Sequence, residues 1–214
     1  VDKNFRRQGI GKRLHEAAFK ARDLELTIQG LQGYCYKGED EAENFMKTLD
    51  YSLRLTCYIL ELDFTQRKPS PRLARKFGHL EIVPFTKLLG STAGRQQIFD
   101  FLLTRYIEEH FWSPPMPKEH PDWEEIVFED LRPELSFALL DGERIMAASS
   151  VLTENLDVLD MCWQYSTLEF GAKAAQMFLR FLLTHQFAEA WRVGLTKAAL
   201  ELDSTDRDKQ DLLE

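Results

Sequence analysis

Residues 6–12 read Arg6-Arg7-Gln8-Gly9-Ile10-Gly11-Lys12, and apolar residues then recur at Ile10, Leu14, Ala17, Ala18 and Ala21. That recurrence, i, i+4, i+7, i+8, i+11, is the stripe of one helix face. Glycines directly before a helix let the backbone turn tightly and let a ligand approach it closely. The start of a helix offers free N–H groups and a positive dipole end, so a loop of this kind suits an anion, a diphosphate above all. Arg6, Arg7 and Lys12 add positive charge. The stretch is not a P-loop, because Lys12 is followed by Arg13 and not by Ser or Thr. It is not a dinucleotide-binding glycine turn either, because Leu14 stands where the third glycine belongs. A glycine loop of this length can also do no more than start a helix.

Working outward, Tyr34-Cys35-Tyr36 reads as a short strand. Residues 39–49 read as a helix with an acidic start and Ala42, Phe45, Met46 and Leu49 on one face. Leu53, Leu55, Cys57 and Ile59 alternate with Arg54, Thr56 and Tyr58, which predicts a half-buried strand facing inward through the first set. Residues 65–76 hold two prolines and five basic residues and read as an exposed linker, or, more sharply, as a patch for an anionic partner. Beyond it come a strand at 80–85 and a helix at 92–111 with Phe99, Leu102, Leu103, Tyr106, Ile107 and His110 on one side. A proline-rich loop at 112–120 comes next. Residues 135–152 form a hairpin around Asp141-Gly142, a pair suited to the positive φ of a tight turn. A strand at 158–165, a helix at 173–191, a strand at 195–202 and a helix start from 205 complete a mixed α/β pattern.

Composition sets outer limits. The chain has 214 residues, a net charge of −8, 44% hydrophobic and 29% charged residues. An acidic chain lacks the basic surface that nucleic-acid binding needs. No apolar run reaches the roughly 18 residues of a membrane helix, and Val1-Asp2-Lys3-Asn4 does not open a signal peptide. Cys35, Cys57 and Cys162 are odd in number and make no CxxC pair, so they read as small buried apolar residues of a cytoplasmic protein. His15, His79, His110, His120 and His185 form no HExxH or HxxxH, so no metal site is expected. Trp112, Trp123, Trp163 and Trp191 fit a core or its rim better than a substrate groove. Asp203-Ser204-Thr205-Asp206 reads as a helix N-cap.

Arg6-x-x-Gly9-x-Gly11 resembles the (Q/R)-x-x-G-x-(G/A) motif of the GNAT family of acyl-CoA-dependent N-acyltransferases. Residues 1–14 resemble the end of that family's fourth strand entering its CoA-binding helix. Residues 39–51 resemble the later region before the last two strands. The resemblance implies that Arg6, Arg7, Gln8, Gly9, Ile10, Gly11 and Lys12 line the CoA pyrophosphate and that acetyl-CoA is the co-substrate. It departs in three places: Glu39 replaces an Asn, Met46 replaces the Tyr that often protonates the leaving thiolate, and Asp50-Tyr51 replaces Gly-Phe. A thioether is no proton donor. Tyr34, Tyr36, Glu39 and Asp40 lie near where an amine would be deprotonated, and none is assigned as general base.

The resemblance therefore implies a mixed α/β sheet with flanking helices in two GNAT-like segments. Residues 1–64 would be the C-terminal half of one domain, 65–76 a linker, and 77–214 a second, degenerate domain. The loop from Leu168 to Ala172 holds Glu169 and a single glycine, so it offers no CoA site of its own. The second segment would shape the acceptor pocket or a homodimer. Two alternatives stay open: a fragment of a longer tandem protein, or a permuted or swapped arrangement in which the second segment completes the sheet of the first. The expected activity is acetyl transfer to a primary amine, on a small molecule or a peptide. The rival is a binding or scaffold protein without turnover.

Overall fold

The structure, a computed structural model, describes residues 8–24, 35–36, 38–53, 56–65, 69, 79–110, 116–153 and 157–204. The chain divides into two units, Val1–Ser52 and Leu53–Glu214.

In the first unit, α1 (Ile10–Leu24) and α2 (Asp40–Thr48) are the described elements. Asp40, Glu41 and Glu43 in the first turn of α2 suit its positive end. The helix closes through Leu49, Asp50 and Tyr51, whose N–H groups return to Met46 and Lys47 carbonyls. Asp50 takes φ 60°, the left-handed conformation common after a helix and normally given to glycine. It stands where the resemblance expects a glycine. The expected apolar face of α1 is not its packed face. Leu14 is 62% exposed, and Ala17 and Ala18 are exposed too. Packing runs instead through Gly11 and His15, one turn apart: Gly11 faces the Phe45 ring, and His15 meets Tyr51 edge-on at 5.5 Å. Cys35 and Tyr36 have no regular structure, so the strand expected there is not formed at these two residues; Tyr34 lies outside the described residues.

The second unit is a six-stranded sheet: β1 (Cys57–Asp63), β2 (Leu80–Pro84), β3 (Phe137–Asp141), β4 (Arg144–Val151), β5 (Leu159–Ser166) and β6 (Lys197–Asp203), in the order β1-β6-β5-β4-β3-β2. All pairs are antiparallel except β5 with β6. Gly142, at φ 60°, turns the β3–β4 hairpin as the Asp-Gly pair predicts. Alternate strand residues face opposite layers. On one face α4 (Thr92–Glu109) and α5 (Asp122–Phe128) set Ile98, Leu102, Leu103 and Trp123 against Ala138, Ala148 and Trp163. On the other, α6 (Ala172–Arg192) sets Leu179, Leu183 and Ala190 against Leu159, Met161 and Leu200. A short helix α3 (Phe85–Leu88) leads into α4. Within the second face Gln186 is fully buried and satisfied: Ser149 Oγ donates to its Oε1 at 2.7 Å, and its Nε2 donates to the Leu135 carbonyl at 2.7 Å.

Strands β5 and β6 pair only from Leu159 to Met161 against Ala198 to Leu200. Beyond Met161 the strand bulges, since Met161 pairs Val151 while Gln164 pairs Ser149. The fully buried amide of Gln164 has no hydrogen-bond partner on either atom.

Three sequence expectations change here. The division falls after Ser52, and the strand at 57–63, assigned to the first segment, pairs along its whole length with β6. Its register is also the reverse of the expected one. Tyr58, Leu60 and Leu62 lie opposite the buried Leu202, Leu200 and Ala198, whereas Ile59 is 70% exposed. An edge strand with apolar residues on both faces does not announce which face is inward, and a shift of one residue inverts it. Ser204, expected within a helix N-cap, is engaged with the residue before β1: its Oγ accepts the Thr56 N–H, and its own N–H donates to the Thr56 carbonyl. The linker residues 66–68 and 70–76 and the helix start at 205–213 lie outside the described residues.

Candidate functional site

The first candidate is the start of α1. Gly9 takes φ 73°, and a Cβ there would meet open space, so glycine answers the backbone angle and not a crowded site. The first helical bond runs from the Arg13 N–H to the Gly9 carbonyl at 3.1 Å. The amides of Ile10, Gly11 and Lys12 thus precede the hydrogen-bond ladder, as in any helix start. No acidic side chain occupies the first turn. The Lys12 ammonium stands 4.0 Å from Glu16, with both side chains largely exposed. Gly11 has a different reason to be glycine: a Cβ would lie 3.0 Å from Cζ of Phe45, on α2. Arg6 and Arg7 lie outside the described residues, so the structure brings together Gln8, Gly9, Ile10, Gly11 and Lys12 of the expected set. Glu39 is the N-cap of α2 and makes no side-chain cap bond. Tyr36 and Asp40 are exposed, and Met46 is half-buried.

The second candidate is the start of α6. Gly171 takes φ 84°, and the Ala174 and Ala175 N–H groups bond back to its carbonyl. Glu169, expected to repel a diphosphate, forms an ion pair with Arg144, whose guanidinium also lies 5.7 Å from the Phe170 ring centre. Beside this loop is an open cavity of about 520 Å³ bordered by Arg105, Glu108, Arg144 and Glu169. Arg105 is buried and holds Glu108 and Glu109 through its two terminal nitrogens, while its Nε has no partner.

All three cysteines are exposed and outside any disulfide, not buried as expected. Partial desolvation, with Glu201 and Asp203 beside it, pushes the Cys57 thiol up to about 12, so it is a protonated donor and not a nucleophile near neutral pH. Trp123 and Trp163 are core residues, as expected; Trp191 is half-buried, and Trp112 lies outside the described residues.

Strand β5 thus bulges, parts from its parallel neighbour β6 and leads through Gly171 into the long helix α6. A GCN5-related N-acetyltransferase from Sphaerobacter thermophilus superposes with a TM-score of 0.67 at 17% identity. The fold is that of the GCN5-related N-acetyltransferases. The match covers 95% of this chain and 62% of the other. A glucosamine N-acetyltransferase region in a fungal multi-domain GH3 β-N-acetylglucosaminidase superposes with a TM-score of 0.59 at 13% identity, covering 94% of this chain and 26% of that one. This chain thus spans less than two thirds of either. No family model and no curated protein matches it. No helix among the described residues is long and apolar enough to cross a membrane.

Several features escaped the sequence. The Arg144 partner of Glu169 lies 25 residues upstream and is joined only by the sheet. Glu201 and Asp203 could have been noticed, since two carboxylates at i and i+2 on a strand share a face.

Proposed function

We propose that this chain is an acyl-CoA-dependent N-acetyltransferase that moves an acetyl group from acetyl-CoA to a primary amine, with the coenzyme diphosphate held at Gln8–Lys12. The observation that carries the reading is Gly9 at φ 73°, which turns the chain straight into α1 with three amides ahead of the first helical bond and no carboxylate among them. Arg6, Arg7 and Lys12 supply the counter-charge. Acetyl-CoA, when bound, supplies an activated thioester. The amine nitrogen attacks its carbonyl carbon, the carbon–sulfur bond breaks, and the amine's proton passes to water. Met46 offers no proton to the departing thiolate, which takes one from solvent. The acidic chain, at −8, steers cationic acceptors toward it. The proposal places this chemistry in a tandem arrangement of two GNAT-like segments in a cytoplasmic protein.

Titration of acetyl-CoA by calorimetry tests the loop. Gly9→Asp suits the test because aspartate tolerates left-handed φ and its Cβ meets open space, so the change adds charge without crowding. Affinity should fall about tenfold or more, the ~1.4 kcal/mol scale of a misplaced charge at a helix start. Unchanged affinity would move the coenzyme elsewhere. Gly11 is a poorer choice, since any side chain there presses on Phe45. A second reading, coenzyme binding without turnover, is favoured by Met46 at the expected tyrosine position. Release of free CoA thiol with a panel of amines separates the two.

A further inference from the structure

Helix α4 brings Asp100, Thr104 and Glu108, spaced i, i+4 and i+8, to the wall of the open cavity of about 520 Å³. Arg105 borders the same space but is itself buried, at 5% exposure. Glu108 and Glu109 take its two terminal nitrogens, and its Nε finds no acceptor among the described residues. A buried N–H donor without an acceptor is rare and costly, and it calls for an oxygen brought from outside the chain. Across the cavity Arg144 pairs with Glu169. The lining therefore sets three carboxylates against two guanidiniums, an excess of one negative charge. Asp100 has only the Lys118 ammonium at 4.0 Å, with both side chains half exposed, a contact that an incoming cation replaces at little cost.

We infer that this cavity binds a free basic amino acid, of the lysine or arginine kind. The ligand's α-carboxylate supplies the acceptor that Arg105 Nε lacks. Glu108 is the exposed partner of Arg105, and as it turns to the ligand's α-ammonium it opens the guanidinium to that carboxylate. The long side chain then runs along α4 past Thr104 toward Asp100, which stands roughly 12 Å of helix rise from Glu108. A ligand of net charge +1 cancels the excess charge of the lining. A diamine would leave the Arg105 donor unmet, and a neutral amino acid would leave Asp100 without its cation. A volume of about 520 Å³ falls within the roughly 300–1,000 Å³ of small-molecule clefts. Every residue of the site belongs to the second unit and none to Gln8–Lys12, so the inference stands apart from the acetyltransferase reading.

The test is calorimetric titration of the full chain with L-lysine and L-arginine, beside three probes that each lack one group of lysine. Cadaverine has no carboxylate, 6-aminohexanoate no α-ammonium, and norleucine no terminal ammonium. Saturable binding of at least one basic amino acid at one equivalent is expected, with each probe weaker than lysine by about tenfold or more if lysine is the one bound. Asp100→Asn should weaken the basic amino acid about threefold or more and leave norleucine unchanged, whereas Glu108→Gln should weaken both. Both positions are exposed, so the variants should keep the parent's circular dichroism. Absence of saturable binding by both amino acids, cadaverine or norleucine bound as tightly as lysine, or Asp100→Asn without effect would each overturn the inference.

Discussion

Gly9 and Gly171 both take positive φ immediately before a helix, at 73° and 84°. Their surroundings differ in charge and in packing. The first is flanked by Arg6, Arg7 and Lys12, and its helix leaves Leu14 in solvent. The second is flanked by a carboxylate already held by Arg144, and its helix is built into the core through Leu179, Leu182 and Leu183. The same backbone device therefore serves two ends. At α6 the glycine sets a helix onto a sheet. At α1 it leaves a charged helix start to which an anion can come.

Four measurements would break or sharpen that contrast. Packing gives the largest effect. Leu182→Ala on α6, fully buried, should destabilise the second unit by about 2–5 kcal/mol, whereas Leu14→Ala on α1 should stay within ~0.5 kcal/mol. Chemical denaturation compares the two, and equal losses would erase the distinction. Next, Gly171→Asp should leave acetyl-CoA affinity within about twofold by calorimetry, in contrast to the loss expected for Gly9→Asp. A large loss in Gly171→Asp alone would reverse the assignment of the two loops. Third, Glu169→Gln frees Arg144 and turns the second loop positive. It should produce weak inorganic-phosphate binding there, detectable by shift perturbation. Stability should change by no more than ~0.5 kcal/mol, because the ion pair is half exposed.

The smallest effect is one of pH and belongs to α6. His185 packs edge-on against Phe137 at 5.1 Å, and burial holds its protonation below the ordinary range near 6.5. The unfolded chain therefore takes up the proton before the folded one does. Stability contributed by the neutral ring is present above that ordinary value, declines as pH falls through it, and levels off below the depressed folded value. Denaturation at pH 7.5 and 5.5 should show a loss that is smaller in His185→Leu.

Legibility followed the pattern of burial. The hairpin, β2, β5, β6 and α6 stood out because one face or both are buried and the period is unambiguous. Beyond residue 80 the strands, α4 and α6 were read to within a few residues for the same reason, whereas the short helices α3 and α5 were not foreseen. Strand β1 was seen but turned inside out, since Tyr58 and Leu60 compete with Cys57 and Ile59 for the inner face. The face of α1 was misread because its packing uses a glycine and a histidine, which apolar periodicity does not count. At the candidate loop, the sequence showed the glycines and the charge but not that Gly11 also yields to Phe45. Arg105 on α4 was missed because a buried guanidinium with two carboxylates looks, in sequence, like a solvated face.

The pairing of β1 with β6 has a consequence for anyone dividing the gene. Cutting the chain at 65–76, where composition invites it, would carry off a strand that pairs at seven consecutive positions with the other piece. The larger piece would be left with β6 as a raw edge, open to whatever strand it met first. The two pieces, expressed separately, should instead find each other as a split protein does, with the missing strand as the complementing peptide.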